Sequence, residues 1–195
     1  MRRSTIDRIV SWLGLGMTAF LFVTAALLYW GYQFANESVT ENLAAQKITF
    51  PAVDSDSLKN LPDADRQAIA PFAGLALTTG DQAKAYADHY IGAHVKDIAG
   101  GKTYSEVSGE ALAVSAQSRA NPSDSELAAK AATLMGQRQT LFMGETLRGL
   151  LSYAYAFWQI GQIAMYAFWT ALIAGAVMFI LSILGFMHLR RAREV

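Results

Sequence analysis

The sequence predicts an all-α membrane protein, in which two transmembrane helices extend outward into a small helical extracytoplasmic domain. Two long apolar runs support this fold class. Residues 9–32 contain no charged side chain, and in residues 147–189 Arg148 is the only Asp, Glu, Lys or Arg. About 20 consecutive apolar residues allow a helix to cross a hydrocarbon core of roughly 30 Å. Each run therefore predicts one membrane span.

Arginine clusters predict the orientation of the spans. The first run follows Arg2, Arg3 and Arg8, and the second is followed by Arg190, Arg191 and Arg193. Because basic residues concentrate on cytoplasmic flanks, residues 1–8 and 190–195 are both predicted to be cytoplasmic. No small-x-small cleavage pattern follows Tyr32, so residues 9–32 read as an uncleaved signal anchor. The expected location is the inner (plasma) membrane, with both ends inside.

The predicted extracytoplasmic domain, residues 33–145, is acidic. It contains fourteen acidic and nine basic side chains, a net charge of −5 that is hidden in the zero net charge of the whole chain. This charge argues against a nucleic-acid partner. The chain has no cysteine, so disulfides and thiolate ligands are excluded.

The first helix is expected to continue beyond the membrane. Residues 34–47 lack proline and glycine, and Val39 and Leu43 form a thin apolar stripe. Pro51 stops this helix, and the Ser/Asp-rich residues 54–65 predict a surface loop.

Further helices are predicted from their start and stop signals. Asp81 is the expected N-cap of a helix that ends at the glycine pair 100–101. Its expected apolar side comprises Tyr86, Tyr90, Ile91, Val95 and Ile98. A short helix follows over 104–118, and Ser123 or Asp124 is expected to cap the last one.

The last helix is predicted to be far longer than one bilayer. No proline occurs between Pro122 and Leu189, so about 65 residues, or roughly 100 Å, can be helical. A kink is expected near one of four glycines, Gly136, Gly144, Gly149 or Gly161.

Counting back from Arg190 predicts the second span at residues 165–189 and leaves residues 146–164 as an apolar juxtamembrane helix. A helix this apolar needs a cover in water. One interpretation is that Tyr86, Tyr90, Ile91 and the region of Phe72 cover it. The other is a contact with another subunit or a pocket, for which the candidate residues are Arg148, Tyr153, Tyr155 and Trp158.

A ladder of small residues, Ala167, Ala171 and Gly175, predicts a helix seam in the second span. Gly14, Thr18 and Ala25 of the first span could match it within one chain. Alternatively, the seam is an interface between copies of the chain.

No motif predicts chemistry. The nucleophile elbow, the zinc motif His-Glu-x-x-His, the P-loop and the dinucleotide fingerprint do not occur. His89 and His94 are five residues apart, which separates them around a helix, and the Asp-rich loop lacks the ligand order of an EF-hand. We predict no catalytic residue, cofactor or metal.

Several short stretches carry a family resemblance. They are residues 47–51 (KITFP), 79–83 (TGDQA) with Tyr86-Ala87, 101–104 (GKTY) and 144–151 (GETLRGLL). Together they resemble an uncharacterised family of actinobacterial two-span membrane proteins with a helical extracytoplasmic domain. Some members carry the label of aromatic ring-opening dioxygenase. That chemistry requires an iron site of histidines and a carboxylate, which this sequence does not offer.

The predicted function is non-enzymatic assembly in the cell envelope, as a homo-oligomer or as an accessory subunit of a larger membrane complex. The expected partners are membrane lipid and either another copy or another membrane protein. One alternative is an oligomeric channel or transport component lined by Thr18, Thr24, Thr170 and Ser182. A second is a lipid- or ligand-binding domain that uses Tyr153, Tyr155 and Trp158.

Overall fold

A computed structural model describes residues 3–191, with side chains from residue 5. Arg2, Arg193 and the side chain of Arg3, on which the orientation prediction partly rests, lie outside this range. The regular structure of the described residues is helical throughout, which confirms the all-α fold. In chain order it comprises α1 (Arg3–Ala45), α2 (Asp56–Lys59), α3 (Asp63–Ile69), a 3₁₀ turn (Ala70–Phe72), α4 (Gly80–Ala85), a π-helical turn (Tyr86–Ile91), α5 (Gly92–Ile98), α6 (Tyr104–Ala120) and α7 (Ser125–Arg191).

Two of these helices, α1 and α7, are long and apolar enough to cross a membrane. The chain divides into two compact units. The first consists of α1 up to Ser38 and α7 from Trp158, and the second is Val39–Phe157.

In the first unit, α1 and α7 pack closely through small residues. A Cβ atom added to Gly14 would lie 2.5 Å from the Ser182 Oγ, and one added to Gly185 would lie 2.5 Å from the Ser11 Oγ. These glycines therefore let the two helices approach more closely than larger residues would allow.

Many large apolar side chains of this unit lie on its outer surface, away from the contact between α1 and α7. Leu13, Phe20 and Trp30 are 67%, 64% and 65% exposed. A pair of helices with an apolar outer surface and small residues between them is the arrangement expected in lipid.

The second unit begins with the last turns of α1. Val39 and Leu43 are buried, as their spacing predicts. The helix ends at Ala45, before Lys47 takes a left-handed backbone conformation with φ 54°. Residues 48–51 then pair briefly with residues 74–77, since the Phe50 N–H donates to the Leu75 carbonyl at 2.9 Å.

Side-chain hydrogen bonds cap the helix starts, and the cap of α4 differs from the prediction. Asp81 is not the N-cap of α4, which begins at Gly80. The Gln82 Oε1 instead accepts the backbone N–H groups of Thr78 and Thr79. Asp124 caps α7, since its Oδ1 accepts the Leu127 N–H at 2.9 Å.

The helix predicted up to Gly100 contains a π-helical turn that the sequence pattern does not reveal. A π-helical turn contains more residues than an α-helical turn, so it changes the direction in which later side chains point. Val95 is buried, whereas Ile98 is 39% exposed. The prediction that Ile98 belongs to the apolar side is therefore wrong.

One buried cluster of the second unit packs against α7. Val95, Ala99, Val107 and Leu141 form one buried cluster, and Leu141 is fully buried. α7 itself is continuously α-helical through all four glycines at which a kink was expected.

Two glycines of α7 provide a test of this packing. A Cβ at Gly144 would overlap the Val95 Cγ2, whereas a Cβ at Gly136 would meet nothing within 4 Å. Gly144→Ala should therefore lower the thermal unfolding midpoint. Gly136→Ala, the matched control, should raise stability by roughly 0.5–1 kcal/mol through helix propensity. Circular dichroism melts measure both, and equal shifts would contradict the close contact.

The N-terminal cap of α6 predicts a dependence of stability on pH. Hydrogen bonds from the Thr103 N–H and hydroxyl, at 2.7 and 2.8 Å, hold the pKa of Glu106 below its ordinary value of 4.5. This contribution is present above pH 4.5 and is lost as the pH falls through the lower pKa of the folded state. Glu106→Gln lacks the titrating carboxylate, so its unfolding free energy should fall less than that of the parent protein as the pH is lowered. Thermal melts at a series of pH values measure this difference.

Candidate functional site

The most unusual part of the second unit is the stretch of α7 from Leu141 to Phe157. One side of it packs against the unit, and the opposite side is apolar and exposed. Leu141 and Leu151 are buried on the packed side, where Gly144 also contacts Val95. The contacts of the packed side fix how the exposed side is presented.

Arg148 is the central polar residue of the packed side. Its Nη1 donates to both carboxylate oxygens of Glu145, at 3.0 and 2.9 Å. Its Nε donates to the Ala87 carbonyl at 3.1 Å, and its Nη2 lies 4.0 Å from the Asp88 Oδ1. Arg148 therefore joins α7 to the π-helical turn through both backbone and charge. Sequence spacing predicts only the Glu145 pair.

The π-helical turn provides the acceptor for this contact. The Ala87 carbonyl accepts the Gly92 N–H, five residues on, and the Arg148 Nε as well. Gly92 leaves room for the guanidinium, since a Cβ there would lie 3.4 Å from the Arg148 Nε and 3.2 Å from the Ala87 oxygen. π-Helical turns often occur at functional sites, and this one receives a long-range contact.

A second ion pair, between Lys84 and Asp88, lies beside the ion pair of Arg148 and Glu145. The Lys84 Nζ donates to the Asp88 Oδ2 at 2.8 Å, and this hydrogen bond raises the pKa of Lys84. The same ammonium lies 5.2 Å from the ring centroid of Tyr155 on α7. Burial raises the pKa of the neighbouring Tyr86 to about 12, so its hydroxyl stays protonated at physiological pH.

The exposed side of the same stretch is apolar. Leu147, Leu150 and Tyr153 are 49%, 60% and 77% exposed. We call this side the open face; its residues are Phe142, Met143, Thr146, Leu147, Leu150, Tyr153 and Phe157. The Thr146 hydroxyl donates to the Phe142 carbonyl at 2.7 Å, so this polar side chain of the face is hydrogen-bonded within its own helix.

The aromatic residues predicted as a possible pocket do not converge. Tyr153 belongs to the open face, whereas Tyr155 lies under Lys84 on the packed side. Two residues apart on one helix, their side chains point about 200° away from each other. Trp158 is half-buried and belongs to the first unit.

The predicted seam of the second span lies against α1. Ala171 and Gly175 are buried, Ala167 is half-buried, and a Cβ at Gly175 would lie 3.0 Å from the Phe22 ring. The matching residues Thr18 and Ala25 of α1 are buried too.

The four hydroxyls considered as a pore lining all donate to carbonyls of their own helix. The acceptors lie four residues earlier in each case, for Thr18, Thr24, Thr170 and Ser182. Thr18 and Ser182 are buried, and Thr24 and Thr170 remain on the outside of the unit.

Two histidines of the second unit take part in hydrogen bonds, His89 with a residue of α3 and His94 with the residue one helical turn before it. His89 Nδ1 lies 2.8 Å from the Asp65 Oδ1, and His94 Nδ1 lies 2.7 Å from the Tyr90 carbonyl oxygen. Among the described residues, no group of three or more His, Asp or Glu could hold a metal ion. Asp65 and His94 also line a surface cleft of about 910 Å³ between the α2–α3 region and α5.

Ala87, Gly92 and Asp88 are the site residues that sequence reasoning missed. The i, i+4 spacing of Lys84 and Asp88 could have indicated their ion pair. No local pattern indicates that Arg148, 61 positions beyond Ala87, contacts that carbonyl.

Comparisons of this chain with protein-family models, with curated proteins and with solved structures found no match.

The contact between Arg148 and the π-helical turn can be tested by a conservative substitution. Arg148→Lys keeps the charge but loses the donor to Ala87 and the paired bonds to Glu145. We expect a loss of about 1–2 kcal/mol in unfolding free energy. Arg119→Lys, on the exposed end of α6, is the control and should change stability little. Thermal melts of both variants measure this loss. A stability of Arg148→Lys equal to that of the parent protein would contradict the contact.

Proposed function

We propose that this chain is a non-enzymatic membrane protein of the cell envelope that acts by assembling with other protein through the open face of α7. In this proposal α1 and α7 span the plasma membrane, both chain ends are cytoplasmic, and the Val39–Phe157 unit is extracytoplasmic. The arginines beyond each apolar run support that orientation.

The observation that carries the proposal is the exposure of the open face. Leu150 and Tyr153 each leave more than half of their surface uncovered. Contiguous exposed apolar surface of this kind marks an interaction site more often than a solvated surface. The opposite side of α7 is held by Arg148 and Leu141, so the face is presented on a supported helix and not on a loose segment.

Lipid is a poor cover for this face because the sequence places the face well before the predicted second span. Leu150 and Leu147 lie 15 and 18 residues before residue 165, where that span is predicted to begin. Fifteen helical residues are about 22 Å long, whereas headgroups extend only about 5–8 Å beyond the hydrocarbon core. Protein is therefore the better candidate.

The paired charges of the packed side fit a structural role. Arg148, Glu145, Asp88 and Lys84 contact one another at 2.8 to 4.0 Å. They hold α7 against the π-helical turn, which supports the geometry of the open face.

The proposal predicts that the protein is part of a larger complex. Native mass spectrometry of material gently solubilised from its own membranes should give a mass above the 21.2 kDa of one chain. The double variant Leu150→Ser/Tyr153→Ser should return that mass to a single chain, because both side chains are exposed and their loss spares the packed core.

Leu112→Ser on α6 is the matched control. Leu112 is 52% exposed but lies outside the open face, so the complex should persist. Circular dichroism of each variant checks that the chain still folds. A parent protein that is a bare monomer, or a complex that survives the double variant unchanged, would overturn the proposal.

A further inference from the structure

The residue spacing and the lack of charge on the open face indicate which protein covers it. We propose that the occupant is a second copy of this chain, whose α7 runs parallel to the first and meets it with the same residues. This inference rests on the proposed function above, and it adds the identity of the partner and the register of the contact.

The spacing of the face fits a parallel helix pair. Met143, Leu147, Leu150, Ala154 and Phe157 follow one another at steps of four, three, four and three residues. That is the alternation of core positions in a coiled coil, repeated over two heptads. At 1.5 Å per residue, the seam is about 21 Å long. Leu150 is at its centre, and Ala154, a half-buried small residue beside the open face, completes the pattern and allows two helices to approach.

Charge supports a self-contact. In a symmetric parallel pair, each residue lies opposite the same residue of the other copy, so any charge on the face would meet a like charge. At 100° per residue, the seven residues of the open face cover an arc of roughly 140°, and none of them is charged. Glu145 and Arg148 point to the packed side, where they pair with each other.

The membrane spans favour the parallel direction. Two copies inserted with the same orientation present their α7 helices in the same direction and at the same height. Residue Leu150 of one copy then lies level with Leu150 of the other without any adjustment. An unrelated partner would need an apolar helix at the same distance from the membrane. A second copy has such a helix because its sequence is identical.

The absence of cysteine makes the test clean, since each variant carries a single thiol. Leu150→Cys places the thiol in the seam. Ser152→Cys places it on an exposed residue of the same helix, about 200° from Leu150 and off the face. Two differently tagged copies of each variant are expressed together in their own membranes and oxidised with copper phenanthroline.

Leu150→Cys should give a disulfide-linked species that carries both tags, at least tenfold more abundant than with Ser152→Cys. Equal cross-linking of the two variants would indicate random collision and would overturn the inference. The absence of a doubly tagged species would overturn it as well.

A photo-cross-linking amino acid at position 150 separates this inference from the proposed function. An adduct that carries both tags supports a second copy. An adduct with only a different protein overturns the second copy but leaves assembly through the face standing. If no protein adduct forms, both proposals fail.

Discussion

The packing of the second unit against one side of α7 is the contact on which the rest of this structure depends. Leu141 fills the core beside Val95 and Val107, and Gly144 lets α5 come close to α7. Arg148, about one turn beyond Gly144 on α7, reaches the carbonyl of Ala87. These contacts fix which side of α7 is covered, and so they also fix which side stays open.

The chemistry around Arg148 explains why a charged residue occurs in an otherwise apolar run. A lone guanidinium in such a setting would be costly, since buried charge requires partners. Here the guanidinium pairs with the carboxylates of Glu145 and Asp88, and its Nε–H donates a hydrogen bond to a backbone oxygen. The π-helical turn brings this oxygen into reach, so the irregular turn and the arginine belong to one arrangement.

Much of the architecture follows from local sequence. Long apolar runs predict both long helices, and the glycine pair at 100–101 ends α5 as expected, with φ values of 58° and 84°. The buried stripe of Val39 and Leu43 follows from its spacing. The N-cap of α4 is Thr79 and not Asp81, because Thr79 and Gln82 form a capping box in which the Gln82 Oε1 accepts the Thr79 N–H. The actinobacterial family resemblance remains a prediction.

The sequence by itself determined the helical class, the two apolar runs, the acidic domain and the excess of apolar residues in α7. These properties depend on composition and on spacing within one helix, which the chain displays directly. Only the tertiary structure decided that Arg148 contacts Ala87, that Tyr153 and Tyr155 face opposite surroundings, and that α1 covers Ala171 and Gly175. Such contacts join residues far apart in sequence, and their geometry depends on how the helices pack, which no local pattern encodes.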